Sequence, residues 1–191
     1  PALPKFGHRL LIPHGYNNMQ WYGRGPQESY PDRNYAAHLG IYGGTVRDQF
    51  VPYSRPQENG NKSGVRWATF RHEDGSGLLI RGNSLHVAAR HYDDRIAPDF
   101  DYNYQLPRAD GLFIHVDGFM AGLGGNDSWS KSTLPQYRIN ELRYTFSYSL
   151  RFLSTDDKPA DFLGYRLPQP KIIPKKQFTR KKNGLVSNGQ Q

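Results

Sequence analysis

Short runs of β-branched and aromatic residues, each broken by glycine, proline or Asp-Gly, recur through the first 153 positions of the 191-residue chain. That rhythm predicts brief strands joined by turns. Partial alternation of apolar and polar positions places strands at 9–12, 19–22, 45–51 and 65–71, then at 77–81, 85–89 and 112–116. Glu73-Asp74-Gly75-Ser76 stands between two of them and predicts a tight hairpin, because Asp-Gly readily takes the positive φ that such turns need. The longest alternation covers 142–152: Tyr144, Phe146, Tyr148, Leu150 and Phe152 share one face, with Arg143, Thr145, Ser147, Ser149 and Arg151 on the other. It predicts one half-buried strand. Helix is confined to a short turn within 99–106, since 14 prolines and 20 glycines argue against long helices. The pattern therefore predicts an all-β domain, a sandwich of antiparallel strands.

At about residue 154 the composition changes. Residues 154–191 pass through Asp156-Asp157-Lys158-Pro159 to Pro168, Pro170 and Pro174 with clustered lysines, which predicts an extended or disordered basic tail after a domain spanning 1–153. The formal charge of +8 sits almost wholly in that tail: seven cations and no acid follow Asp161. A nearly neutral body with a basic end fits a solvated extension and not a phosphate-binding face, so no nucleic-acid partner is expected. The absence of cysteine excludes disulfides, thiolate catalysis and cysteine-bound zinc, and is compatible with cytoplasm and periplasm alike. No apolar run approaches the ~20 residues of a membrane-spanning helix, and no membrane partner is expected. The sequence opens on Pro1 and not on Met, so the expectation is a piece of something longer.

Candidate chemistry concentrates in residues 117–130, Asp117-Gly-Phe-Met-Ala-Gly-Leu-Gly-Gly-Asn-Asp-Ser-Trp-Ser130. Gly118, Gly122, Gly124 and Gly125 allow crowded or left-handed backbone, which suits a loop that holds a large side chain at a fixed angle. That side chain is Trp129, whose face can stack on a sugar ring while its indole N–H donates one hydrogen bond. The flanking residues are glycine and polar and do not form a strand pattern, which favours binding over a core role. The passage resembles the Asp-Gly-(Phe/Tyr)-x-Met…Gly-Gly-Asp-Asp-Ser-Trp pattern near the C-terminus of the bacterial β-galactosidases of glycoside hydrolase family 2, lactose-operon type. Trp21-Tyr-Gly-Arg-Gly-Pro-Gln-Glu-Ser-Tyr-Pro-Asp-Arg33 and Val51-Pro-Tyr-Ser-Arg-Pro-Gln-Glu-Asn-Gly60 resemble two further blocks of that family, in the same order.

The resemblance implies a C-terminal β-supersandwich of the galactose-mutarotase-like kind, lacking its first strands and so exposing sheet edges or apolar surface. It implies a glycosidase that, as a whole enzyme, hydrolyses terminal β-D-galactosides such as lactose. The family's two catalytic glutamates and its magnesium and sodium sites lie in a (β/α)8 barrel. No residue here matches them, so no catalytic residue and no metal ligand is assigned, and the chain alone is expected to be inactive. The implied partners are that barrel, in the same chain or as a separate large subunit, a β-galactoside substrate, and further copies in a homo-oligomer. Trp129 matches the family's platform for the leaving-group sugar, with Asn126, Asp127 and Ser128 as its supporting loop. Asn126 departs from the family's usual Asp.

The remaining candidates read as architecture. Glu28, Asp32, Glu58, Asp93, Asp94, Asp117 and Asp127 suit capping, turns or pairing with a nearby Arg. Trp21 and Trp67 suit the core, Arg24 and Arg33 an ion-pair network with Glu28 and Asp32, and Pro56–Gly60 a loop held by Glu58 and Asn59. His86 and His91 lie five apart, without metal-ligand spacing. Two other uses of such a fold stand beside the first: a stand-alone carbohydrate-binding or mutarotase-like sandwich, and a structural oligomerisation domain.

Overall fold

The structure, a computed structural model, describes residues 3–130 and 132–157. Seven strands, β1 (Lys5–Ile12), β2 (Asn18–Gly25), β3 (His38–Thr45), β4 (Lys62–Arg71), β5 (Gly77–Arg90), β6 (Leu112–Met120) and β7 (Tyr148–Leu153), form one antiparallel sheet. The order is β1-β6-β5-β4-β2-β3, with β7 pairing β5 off that path. The all-β, antiparallel class expected from the sequence is what the described residues form, and their only helical segments are single 3-10 turns.

The 14-residue β5 organises the sheet. Its first part, to Gly82, pairs with β7, and its last part, from His86, pairs with β6, while β4 follows the opposite edge. The two expected strands at 77–81 and 85–89 are thus one strand, interrupted where Ser84 takes φ +57°. Gly64 in β4 takes φ +64°, beside a register shift between Lys62 and Val65. Such bulges bend a strand and increase its twist, so β5 can change partners along its length. The Glu73–Ser76 hairpin forms as expected: Gly75 has φ +90°, and the Ser76 amide donates to Asp74 Oδ1 at 2.8 Å.

Alternate residues of the central strands build the main core: Met19 and Trp21 of β2, Val65, Ala68 and Phe70 of β4, Ile80, Leu85 and Val87 of β5, Leu112, Ile114 and Val116 of β6. Trp67, Leu79 and Leu153 bury a smaller patch. Trp21 and Trp67 are therefore core residues, as their strand context predicts.

Three expectations about elements need correction. Residues 45–51 do not form a strand. Asp48 Oδ2 accepts from the Thr45 amide while Thr45 Oγ1 accepts from the Asp48 amide, closing a reciprocal turn before the 3-10 segment Arg47–Gln49. The strand lies just before it, as β3, whose three glycines weaken its strand signal. One of them, Gly40, together with Gly25 of β2, makes room for Tyr42: a Cβ on Gly25 would lie 2.7 Å from its ring, and one on Gly40 would lie 3.0 Å away. Of 142–152, only the part from Tyr148 joins the ladder; before it, Tyr144 packs on Phe6 and Phe119, and Phe146 on Phe6 and His8. Phe152 is exposed and Leu153 buried, so the face that the alternation marked as half-buried points outward at its end. The helical turn expected within 99–106 resolves into two 3-10 turns, Ala97–Asp99 and Asn103–Gln105.

The outer strands carry exposed Leu11 on β1 and exposed Leu39 and Ile41 on β3. Of the expected tail, Ser154–Asp157 form a turn in which Asp157 pairs with Arg151; residues 158–191 lie outside the described residues.

Candidate functional site

The segment singled out by its glycines begins inside β6 and leaves the sheet after Met120. Its exit is fixed by backbone bonds: the Ala121 amide donates to the Pro4 carbonyl and the Gly122 amide to the Tyr137 carbonyl, both at 2.8 Å. Asp32 then anchors the loop, with Oδ2 accepting from the Gly124 amide at 2.8 Å. A Cβ on Gly122 would come within 2.5 Å of that same oxygen, and Gly124 and Gly125 have φ of +78° and +80°. Glycine is thus required at 122 for close approach and at 124 and 125 for left-handed backbone.

Beyond the anchor, Asp127 Oδ1 accepts from the amides of Trp129 at 3.1 Å and Ser130 at 2.6 Å. This side-chain-to-backbone turn is a local device for setting the direction of the next residue. The next large side chain is Trp129, 86% exposed, whereas Trp21 and Trp67 are 1% and 3% exposed. Leu123, Gly125, Asp127, Ser128, Trp129 and Ser130 line an open cleft of about 510 Å³. Trp129, Asp127 and Ser128 therefore come together as a wall. Asn126 stands beside it, its Nδ2 donating to the Ser132 carbonyl at 3.5 Å.

The loop depends on a residue whose role the sequence reading misplaced. Asp32, expected in an ion-pair network with Arg24, Arg33 and Glu28, binds the loop, while Arg24 donates to the carbonyls of Asn34 and Ala37. Glu28 accepts from the Tyr30 and Tyr53 hydroxyls and from the Gly60 amide, and Arg33 donates to Tyr53 Oη at 3.3 Å. The signal for Asp32 is a contact 92 positions away in sequence, which no local pattern carries.

Glu58 and Asp94 pair with nearby cations; Asp117 does not. Arg90, 3% exposed, pairs with Glu58 and donates to the Asn59 carbonyl at 2.7 Å; Lys5 bonds Glu58 at 2.9 Å and reaches Asp94 at 3.5 Å. Burial acts to raise the Glu58 carboxyl, but Arg90 and Lys5 hold it below its usual range. Asp94 follows the same pattern, burial being outweighed by the His115 hydrogen bond at 2.8 Å and by the charges of His115, Lys5 and Arg90. Asn59 clasps the Val51 backbone through both its amide atoms, so the 56–60 loop is held as expected. Asp117 is the exception: it is a strand residue, 3% exposed, and burial pushes its carboxyl up to about 7. Burial also lowers His86 to about 4. Among the described residues no group of three or more His, Asp or Glu converges as a metal site.

The geometry delivers a presented aromatic ring. Residues 1–151 match the family described as Beta galactosidase small chain. The chain belongs to that family. It is 38% identical over 153 residues to a β-galactosidase of Priestia megaterium, which covers 79% of this chain and 15% of that protein. A β-galactosidase of Vibrio cholerae is 32% identical over 79% of the chain and 14% of its own length, and one of Lactobacillus delbrueckii subsp. bulgaricus is 37% identical over 72% and 14%. The small-chain member described here thus spans about one-seventh of the length of these curated relatives.

Proposed function

We propose that this chain is the C-terminal part of a β-galactosidase and completes that enzyme's active site by presenting Trp129 as a platform for the leaving-group sugar. The carrying observation is an indole 86% exposed on a loop whose backbone is bound at Gly122, Gly124, Trp129 and Ser130. An exposed indole costs apolar surface, and ordering it beforehand lowers the entropic cost of stacking on a sugar. Binding on the leaving-group side affects which galactosides are held and which acceptors compete with water, without touching the bond that breaks. The two carboxyl groups of glycoside hydrolysis, and any magnesium or sodium, are assigned to the barrel region of the parent enzyme, with the sheet described here as one part of a larger supersandwich. Partners on this reading are that barrel, joined covalently or as a separate large chain, and further copies of the assembled enzyme.

The test is hydrolysis of a chromogenic β-galactoside by the chain alone, by a barrel-containing partner alone, and by the two together. Activity is expected only from the mixture. Turnover by the chain alone would overturn the proposal, because its ion-paired acids would then have to include an acid and a nucleophile.

A further inference from the structure

A second concave site lies between the turn after β3 and the end of β5, sharing no residue with the Trp129 cleft. Its inner part is a cavity of about 240 Å³ walled by Val46, Phe50, Ala89 and Tyr92. Phe50 and Tyr92 meet edge to face with centroids 6.2 Å apart, which fixes the aromatic walls. The outer part is an open cleft of about 520 Å³ reached past Arg47 and His91, which line both spaces, with Arg108 on its far side. The Ala109 amide donates to the His91 carbonyl at 2.8 Å, which holds Arg108 beside His91, and burial together with the Arg108 charge lowers the His91 pKa.

The rim of this site is cationic. Arg47 and Arg108 form no ion pair with an acid among the described residues, whereas Arg90 behind them does. Asp48, the nearest acid in sequence to Arg47, feels its charge but directs its carboxylate to the Thr45 amide. The buried Arg90 on the inner wall is neutralised by Glu58 and Asp94, so the positive charge of the rim lies at the mouth and not inside.

We propose that this cleft binds a small organic acid, its carboxylate held by Arg47 and Arg108 and its apolar body lodged in the Val46–Phe50–Ala89–Tyr92 cavity. The chemistry excludes simpler occupants. Inorganic phosphate would satisfy the guanidiniums and leave the apolar walls empty, whereas a neutral hydrocarbon would fill the cavity and leave both cations unneutralised. The cavity exceeds the ~150 Å³ that admits a benzene ring, so a single-ring or short-chain carboxylate fits. Guanidinium–carboxylate pairing supplies a charge-assisted bond, and the walls supply contact area. A neutral galactoside uses neither feature, so the site is independent of the proposed sugar platform.

The experiment titrates the full chain with phenylacetate, 2-phenylethanol and inorganic phosphate, following amide shifts by nuclear magnetic resonance. Phenylacetate should give saturable shifts confined to Val46–Phe50, Ala89–Tyr92 and Arg108, with the alcohol and phosphate each at least about tenfold weaker. Arg47→Ala and Arg108→Ala, both exposed and outside the core, should each weaken phenylacetate by about tenfold and leave the rest of the spectrum unchanged. Equal binding of the alcohol, equal binding of phosphate, or no saturable shift at millimolar phenylacetate would overturn the proposal. None of these outcomes depends on galactoside hydrolysis, so a failed complementation leaves this result standing, and the reverse.

Discussion

Asp32 and Asp117 show how one functional group performs two tasks according to its surroundings. Asp32 spends an oxygen on the Gly124 amide. Asp32→Ala removes the acceptor and leaves that amide unpartnered, at a cost of about 1–3 kcal/mol by the usual scale for a buried polar group. The expected result is a lowered midpoint in urea together with loss of the fixed Trp129 position, read as increased mobility of the indole by fluorescence anisotropy. Asp117 has no such donor on its Oδ2 and sits among Glu58, Asp94, Lys5 and Arg90. Its folded-state pKa of about 7 lies above that of the unfolded chain, so the folded state holds this proton more tightly. The associated stability is complete below pH of about 4, is lost as pH rises towards 7, and is absent above it. Asp117→Asn should therefore match the wild type at pH 4 and exceed it at pH 8 by something on the order of a few kcal/mol, measured by chemical unfolding at the two values. Glu58 and Asp94, depressed in the fold, lose stability on acidification in both proteins.

At the scale of elements, Arg90 joins the end of β5 to the 56–60 loop and to the turn at Asp94. Arg90→Met leaves Glu58 with only Lys5 and the Asn59 carbonyl without its donor, and removing one partner of a buried pair costs about 3–5 kcal/mol. A thermal melt should show that loss, and Arg90→Met combined with Glu58→Gln should cost less than the two separate changes added together. A fully additive double variant would mean the pair is not coupled. The elements also show what a sequence reveals. The hairpin at Gly75 and the core strands β2, β4 and β6 were legible because propensity, alternation and turn chemistry agree there. β3 was hidden because three of its eight residues are glycine, one of which, Gly40, serves the Tyr42 ring, a tertiary demand that reads locally as a loop. Residues 45–51 have strand composition but close a turn through Thr45 and Asp48, and alternation at 142–147 reports extended backbone without revealing that no ladder partner is there.

At the scale of the whole molecule, a seven-stranded sheet with a buried core on its central strands carries two surface features at separate places: the Trp129 loop and the cationic-rimmed cavity. The loop was legible because glycines, Asp127 and a single tryptophan form a contiguous signal, although its Asp32 anchor was not. The cavity was invisible, since Arg47, Ala89 and Arg108 meet only through folding. The chain belongs to its family over residues 1–151 and spans about one-seventh of the relatives' length; on the proposed reading it supplies recognition while the bond-breaking groups lie elsewhere. The most direct measurement of that division of labour is steady-state kinetics of the assembled enzyme carrying Trp129→Ala, with lactose and a nitrophenyl galactoside compared and free glucose added as acceptor. Loss of stacking should raise KM for lactose and weaken capture by glucose by about tenfold, while hydrolysis of an already bound galactosyl group proceeds unchanged. Unaltered lactose KM and glucose capture would contradict the account, because the exposed indole would then lie outside the active site it is held to complete.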